Sequence, residues 1–195
     1  MTQNLRITHS TGQPDWTISK TDSNFSNVDT WNIHASDLTA GHSYTEARSH
    51  VPTATDADTN GNKPMDTYTA DELGVWYNYC AASAGQVCSQ TQMDATQDIC
   101  PAGWKLPTYN TTPGNFSGIT GSATAAGTNA NKFAPIYGGN YSNGSLYNAT
   151  TVGFWWSSTA YNANIQYSLS YNNGSLNTNY NGKSVGFYVR CMRAS

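Results

Sequence analysis

The chain has 195 residues, and only 11% of them are charged, so its solubility depends on neutral polar side chains. The net charge of -3 and the lack of a basic run argue against a nucleic-acid partner. No apolar stretch approaches the roughly 20 residues that cross a bilayer, so membrane insertion by this chain is not expected. The length fits one domain, over residues 1–195.

The first two thirds of the chain carry few regular patterns. Residues 1–68 show no helical period and predict irregular structure with a few short strands. Over residues 69–80, apolar side chains recur at a three-to-four spacing behind two acidic residues, which predicts one amphipathic helix. Residues 99–108, punctuated by Pro and Gly, predict a rigid extended connection, and residues 114–127, rich in Gly, Ser, Thr and Ala, predict a long surface loop.

The last third has the pattern of an antiparallel meander. Residues 153–159, 165–171 and 187–192 are short runs rich in β-formers, separated by Asn and Gly turns. Alternation in the middle run predicts that Ile165, Tyr167, Leu169 and Tyr171 pack inward while Gln166, Ser168, Ser170 and Asn172 face solvent. The expected core residues are Phe154, Trp156, Leu169, Phe187 and Val189, with Trp104 and Leu106 nearby.

The four cysteines are even in number and lack CxxC spacing, which favours two disulfides over a zinc site. Sequence alone leaves three connectivities open. We choose Cys80–Cys88 and Cys100–Cys191, the second of which would close a loop of about 90 residues and stabilise the fold by roughly 4 to 5 kcal/mol. Disulfides imply an oxidising compartment, although the first ten residues show no signal-peptide pattern. Either this chain lacks its export signal, or its route is not secretion.

A D-x-D-x-N-G run points to a metal. Asp56, Asp58 and Asn60 place oxygen ligands on alternate residues before Gly61, as in an EF-hand calcium loop. However, Thr67 stands where that loop has a bidentate Glu, and no helical pattern leads into the run. The run therefore predicts either a solvated polar turn or a calcium site completed from elsewhere, and calcium is the one candidate cofactor.

Catalytic motifs are lacking. None of the four histidines falls in an H-E-x-x-H pattern, there is no G-x-S-x-G nucleophile elbow, and Glu occurs only at positions 46 and 72. We therefore expect a protein that is not an enzyme and has no catalytic residues.

The most informative segment is residues 161–181, where seven of 21 positions are Asn and four are Tyr. Tyr supplies large, stiff contact area with a polar tip, and Asn supplies both a donor and an acceptor. These are the side chains favoured in adaptable binding surfaces. The alternative is a polar hairpin of low complexity.

Four segments together resemble a known family: residues 1–6 (MTQNLR), 98–108 (DICPAGWKLPT), 153–161 (GFWWSSTAY) and 186–193 (GFYVRCMR). They are similar to the FISUMP family, the Fibrobacter succinogenes major paralogous domain. The resemblance implies an α+β, C-type-lectin-like (formylglycine-generating-enzyme-like) fold with short antiparallel strands, one or two helices and much irregular structure. It also implies a place outside the cell, on a cell surface or a viral surface.

Some members of that family are variable proteins of diversity-generating retroelements, in which adenine-directed mutagenesis acts on Asn codons near the end of the gene. The resemblance thus implies a ligand-binding protein with a variable region over residues 161–185, and a protein or glycan on another cell or virus as its partner. The alternatives are a non-diversified adhesion or glycan-binding module and, third, a formylglycine-generating-type oxidase. The expected binding residues are Trp155, Tyr161, Asn162, Asn164, Gln166, Ser168, Ser170, Asn172, Asn173, Ser175, Asn177, Asn179, Tyr180 and Asn181.

Overall fold

A computed structural model of the chain describes residues 3–6, 46–109, 133 and 135–193, and the backbone of residues 15–19 and 30–34. The loop predicted over residues 114–127 lies outside the described residues. The fold is mostly strands with a few short helices and much irregular structure, an α+β-like arrangement. The strands are β1 Asp15–Ser19, β2 Thr30–His34, β3 Ser49–His50, β4 Trp76–Tyr77, β5 Trp104–Lys105, β6 Asn140–Ser142, β7 Ser145–Tyr147, β8 Val152–Ala160, β9 Ile165–Asn172, β10 Ser175–Gly182, β11 Phe187–Tyr188 and β12 Met192–Arg193.

Six of these strands form the main sheet, in the order β10-β9-β8-β11-β4-β3. Strands β8 and β9 pair antiparallel as predicted, but the third strand of the meander is β10, a long strand that the sequence pattern missed. The expected strand at residues 187–192 is divided into β11 and β12. Strand β11 runs parallel to β8, not antiparallel, and β12 pairs with β5 in a separate two-stranded sheet.

A two-residue turn joins β9 to β10. Asn173 and Gly174 both have positive φ angles, of 49° and 75°, and Asn172 pairs with Ser175 across the turn. This is the conformation for which Asn-Gly is the preferred sequence in hairpins, because its twist matches that of the flanking strands. The turn fixes the register of β9 against β10 and therefore fixes which side chains share a face.

The single helix predicted over residues 69–80 is wrong. The structure has two short helices, α1 Ala70–Leu73 and α2 Tyr79–Ala82, separated by β4, and a 3-10 turn at Pro64–Asp66 precedes them. Gly74 ends α1 with a φ of 75°, and a Cβ atom there would lie 2.6 Å from the Cβ of Asn4. A helix cannot continue through that conformation, so the apolar residues at 76 and 77 join the sheet instead.

Side-chain caps fix where both helices begin. The Thr69 hydroxyl accepts a bond from the Glu72 backbone N–H, and the Glu72 carboxylate accepts one from the Thr69 N–H, which is a capping box. The Asn78 side-chain oxygen accepts a bond from the Ala81 N–H at the start of α2. The acidic helix start was thus predicted correctly, and the error lies in the length of the helix.

The sheet is packed on both faces. One core cluster contains Trp156, Phe154 and Phe187 and extends to Tyr79 and Val189. The other contains Trp155, Trp76, Tyr188 and Leu169. All five residues predicted for the core are buried, as is Leu106, while Trp104 is half-buried at its margin.

Two disulfides close the first core cluster. Cys80 in α2 bonds to Cys88, and Cys100 bonds to Cys191, just before β12. This is the pairing chosen from the sequence, and it uses all four cysteines of the chain. Among the described residues, no helix has the length and apolar character needed to span a bilayer.

Candidate functional site

Four tyrosines form a contiguous group on one face of the β9–β10 hairpin, which we call the tyrosine cluster: Tyr109, Tyr161, Tyr167 and Tyr180. The rings of Tyr161 and Tyr180 stack with centroids 4.6 Å apart and planes 9° from parallel. Tyr167 meets Tyr161 edge-on at 5.2 Å, and Tyr109 stacks on Tyr167 at 3.8 Å. Tyr161 and Tyr180 are 42% and 52% exposed, so this face presents an aromatic surface to solvent.

Sheet geometry places the cluster. Tyr180 in β10 lies directly opposite Tyr167 in β9, where side chains on the same face contact each other. Tyr161 follows the end of β8, and its N–H donates to the Ile165 carbonyl. The Asn162 side chain accepts bonds from the backbone N–H groups of residues 164 and 165 and so holds the bend that positions Tyr161.

The same hairpin carries many asparagines, and those of β10 lie on the face opposite to Tyr180, across from Ser170, Ser168 and Gln166. The side chains of Asn164, Asn172, Asn173 and Asn177 are exposed, as the sequence predicts. Half-buried positions are Asn162, Ser175, Asn179 and Asn181. Ten of the fourteen expected binding residues therefore reach solvent at least in part, and all ten lie between the end of β8 and the end of β10.

Four expected binding residues are buried, and their predicted exposure is wrong: Trp155, Gln166, Ser168 and Ser170. The sequence pattern assigned one face of β9 to solvent, but the first core cluster covers that face. Gln166 donates to the Tyr79 hydroxyl at 2.7 Å, and Ser168 accepts a bond from the Asn181 amide at 3.1 Å. Alternating polar residues therefore mark an internal hydrogen-bonded layer in this strand.

Trp155 lies in the second core cluster. Its ring meets Phe133 edge-on at 4.9 Å, and the Arg190 guanidinium lies over it, 5.2 Å from the ring centroid. Its neighbour Trp156 is equally buried on the other face of the sheet. Both tryptophans of the pair are thus structural, and neither can anchor a ligand on the surface.

Charge is nearly absent from the hairpin. Lys183 is the only Lys, Arg, Asp or Glu between Tyr161 and Val189, and it is fully buried. Its ammonium group donates to the carbonyls of Ser89, Thr91 and Ala163, and burial lowers its pKa from the usual value. The lysine thereby joins the loop around residue 90 to the bend that carries Tyr161, and the exposed surface of the hairpin stays neutral.

The predicted calcium run forms a polar turn. The Asp58 carboxylate accepts bonds from the backbone N–H groups of Asn60 and Asn62 and from the Asn62 amide. Asp56 instead accepts from the Thr53 N–H and pairs with His50 at 2.9 Å. Burial alone would raise the pKa of Asp56, but the bonds from His50 and Thr53 outweigh it and lower that pKa.

These two carboxylates serve separate networks, which does not fit an EF-hand type of calcium site. Among the described residues, no group of three or more His, Cys, Asp or Glu side chains is arranged to hold a metal ion. Asp56 and Asp58 do line an open cleft of about 280 Å³ together with Tyr141 and Leu146. Its lining offers hydroxyl and carboxylate oxygens but no set of converging ligands.

Two members of the tyrosine cluster, Tyr109 and Tyr167, were not among the predicted binding residues. Alternation assigned Tyr167 to the packed face, but its side chain is only half-buried. Tyr109 comes from a distant connection, and its N–H donates to the Thr159 hydroxyl at 2.9 Å. A contact between residues 58 positions apart, such as Tyr109 with Tyr167, leaves no signal in a single sequence.

No family model, curated protein or solved structure matches this chain. The resemblance to the FISUMP family therefore stays a prediction. What the structure itself provides is a strand-rich fold with two disulfides and a neutral hairpin that is rich in tyrosine and asparagine.

Proposed function

We propose that this protein is a ligand-binding protein with a C-type-lectin-like fold, and that its binding face is the exposed surface of the β9–β10 hairpin. The binding surface is centred on the tyrosine cluster and includes the asparagines of the neighbouring bend and turn, while the asparagines of β10 line the opposite face. We further propose that residues 161–185 are a variable region of a diversity-generating retroelement, and that the ligand is a protein or glycan on another cell or virus.

One observation carries the binding proposal. Tyr161 and Tyr180 remain about half exposed although they stack on each other, and they lie on a rigid hairpin with a fixed register. Exposed aromatic rings held in place lose little conformational entropy on binding, and tyrosines with amide neighbours are typical of recognition surfaces. Clustered exposed apolar surface on a soluble domain marks an interaction site.

The disulfides support a location outside the cell, because such bonds persist in oxidising compartments. They also weigh against the oxidase alternative. Cys191 is fully buried in the core and bonded to Cys100, so neither sulfur lies at a surface groove. The proposed function therefore assigns no catalytic residues.

A non-diversified glycan-binding module is the second candidate, and a specific observation favours it. Gln166, Ser168 and Ser170 lie within the proposed variable region but are buried, so substitutions there would disturb the core. A neutral surface of amides and phenols also suits sugar hydroxyls and apolar sugar faces. The gene neighbourhood separates the two candidates. A reverse transcriptase gene and an adenine-rich near-copy of the 3′ segment support diversification, and their absence supports the static module.

A ligand screen tests the binding proposal directly. The disulfide-bonded chain is applied to an array of glycans and cell-surface proteins, and each hit is repeated with the double variant Tyr161→Ala, Tyr180→Ala. Central aromatic anchors each contribute roughly 2 kcal/mol or more, so the double variant should lose its signal. The control is Tyr147→Ala, which removes a tyrosine of similar exposure on β7, outside the hairpin. Equal binding by both variants would place the site elsewhere.

A further inference from the structure

We propose that Tyr161 and Tyr180 are a site of oxidative modification, at which a peroxidase-type oxidant joins the two rings into a dityrosine cross-link. The inference rests on the geometry of the pair and does not depend on the proposed ligand binding. The two residues are 19 positions apart along the chain and in direct ring contact, and both are open to solvent.

The pair is held close before any reaction. Tyr180 is fixed by the pairing of β10 with β9, and Tyr161 is fixed by its backbone bond to Ile165 and by the edge of Tyr167. Nearly parallel rings with centroids 4.6 Å apart need only side-chain rotation to bring two ortho carbons into contact. Coupling within one chain then has a large advantage over coupling between chains, because the partners are already together.

The chemistry balances with hydrogen peroxide as the named oxidant. A haem peroxidase removes one electron and one proton from each phenol, and the peroxide is reduced to two water molecules. The two phenoxyl radicals share spin at their ortho carbons, where a new carbon–carbon bond forms. The hydrogens on those carbons then shift to the oxygens and restore both phenols, so the chain loses two hydrogen atoms in total.

Competing reductants are few among the residues that the structure describes. All four cysteines are in disulfides, so thiols do not intercept the radicals. Tyr109 and Tyr167 also stack, but both are half-buried and less open to an enzyme that must contact its phenol. Tyr167 also meets Tyr161 edge-on, and Tyr137 and Tyr171 form a fourth pair, tilted by 30°, but Tyr167, Tyr137 and Tyr171 are all half-buried. Exposure therefore selects Tyr161 and Tyr180 among the tyrosine pairs described.

The bond would covalently close the bend after β8 onto β10, an outer strand of the main sheet. A cross-link across this loop restricts the unfolded chain in the same way as a disulfide does. It would also fix the two exposed rings relative to each other. The proposed modification thus stabilises the hairpin at the point where it is most exposed.

The experiment treats the intact, disulfide-bonded chain with a haem peroxidase and hydrogen peroxide at low protein concentration. Intact mass, dityrosine fluorescence and peptide mapping after proteolysis are then measured. We expect a monomer lighter by two hydrogen atoms, with one cross-linked peptide pair that contains Tyr161 and Tyr180. Oxidation of the exposed Met93 adds oxygen and is separated by its mass.

Three variants make the test specific. Tyr161→Phe and Tyr180→Phe keep the ring stack but remove the phenol, and each should lower the yield of the monomeric cross-link by roughly tenfold or more. Tyr147→Phe should leave the yield unchanged, because Tyr147 is 39% exposed but has no ring contact with another described residue. A circular dichroism spectrum confirms that each variant is folded. The proposal is overturned by a cross-link mapped to another tyrosine pair, by cross-links only between chains, or by no cross-link.

Discussion

The Trp155 indole N–H donates to the side-chain oxygen of Asn4 at 2.7 Å, and this bond ties the start of the chain to an inner strand of the sheet. The same oxygen accepts bonds from the Arg190 guanidinium at 2.6 and 3.0 Å. The Asn4 amide in turn donates to the Leu73 carbonyl at 2.7 Å. One buried amide therefore connects the N-terminal residues, α1, β8 and the segment after β11.

Replacing Asn4 by Ala should destabilise the fold strongly. The change leaves the Trp155 N–H without its acceptor and removes a bond to the Arg190 guanidinium in the buried interior. Unsatisfied buried donors cost about 1 to 3 kcal/mol, and more when charged, so we expect a loss of about 2 to 4 kcal/mol. The measurement is a guanidinium chloride titration. Gln3→Ala, at the exposed neighbouring position, should change the stability by less than about 0.5 kcal/mol. Similar losses in the two variants would contradict this account of Asn4.

Buried and exposed positions on the Gln166 face of the hairpin should respond differently to alanine. Gln166 is buried and bonded to the Tyr79 hydroxyl, so Gln166→Ala should cost about 1 to 3 kcal/mol. Asn177 is exposed, and Asn177→Ala should fall within about 0.5 kcal/mol of the wild type. Trp156→Ala should cause the largest loss of stability of the three, about 3 to 5 kcal/mol, because it removes buried apolar surface and leaves a cavity. Chemical denaturation measures the unfolding free energy of all three variants. An unchanged stability of Gln166→Ala would mean that the Gln166 side chain is open to solvent.

The stability of the protein should depend on pH through Asp98. Burial raises the pKa of this carboxyl to about 7, even though the backbone N–H groups of Leu106 and Cys100 and the charge of Lys105 act in the opposite direction. The folded state therefore holds a proton more tightly than the unfolded state, whose Asp titrates near 3.8. The stabilisation from Asp98 is complete below about pH 4 and is lost as the pH rises through about 7, at about 1.4 kcal/mol per pKa unit.

Asp98→Asn isolates this effect. Asn keeps a side-chain oxygen that can accept one of the two backbone bonds but carries no charge at any pH. We expect the difference in unfolding free energy between the wild type and the variant to shift in favour of the variant as the pH rises from 4 to 8. Urea titrations of both proteins at several pH values measure this difference in unfolding free energy. A difference that does not change with pH would show that Asp98 keeps an ordinary pKa.

Local sequence signals predicted much of this fold. The Asn and Gly turn between strands, the acidic start of α1 and the existence of β8 and β9 depend on short-range features, and the structure contains each of them. Tyr161 and Tyr180 were predicted as surface binding residues from the Asn- and Tyr-rich segment 161–181, and both are exposed. The disulfide pairing was chosen among three alternatives and is the one that the structure forms.

Long-range packing accounts for the errors. Alternation shows that β9 has two kinds of face, but it cannot show that the polar face of Gln166 would also be covered, since the covering residues come from other parts of the chain. The predicted helix ended at Gly74 because Asn4 packs against it, a contact across 70 positions. Sequence periodicity carries no information about either partner.

Ligand binding should depend little on salt. The one charge in the hairpin, on Lys183, is buried and bonded to three carbonyls, so it does not attract ligands through solvent. A carboxylate beside the hairpin is that of Asp94, which accepts a bond from the Ala160 N–H next to Tyr161. A single exposed charge gives weak steering at physiological ionic strength. We therefore expect the affinity for any hit of the ligand screen to change less than tenfold between about 50 and 200 mM salt, where multi-phosphate contacts lose about a thousandfold. Asp94→Asn should reduce the remaining dependence of affinity on salt concentration. A steep salt dependence that persists in this variant would show that the ligand binds a charged surface outside the hairpin.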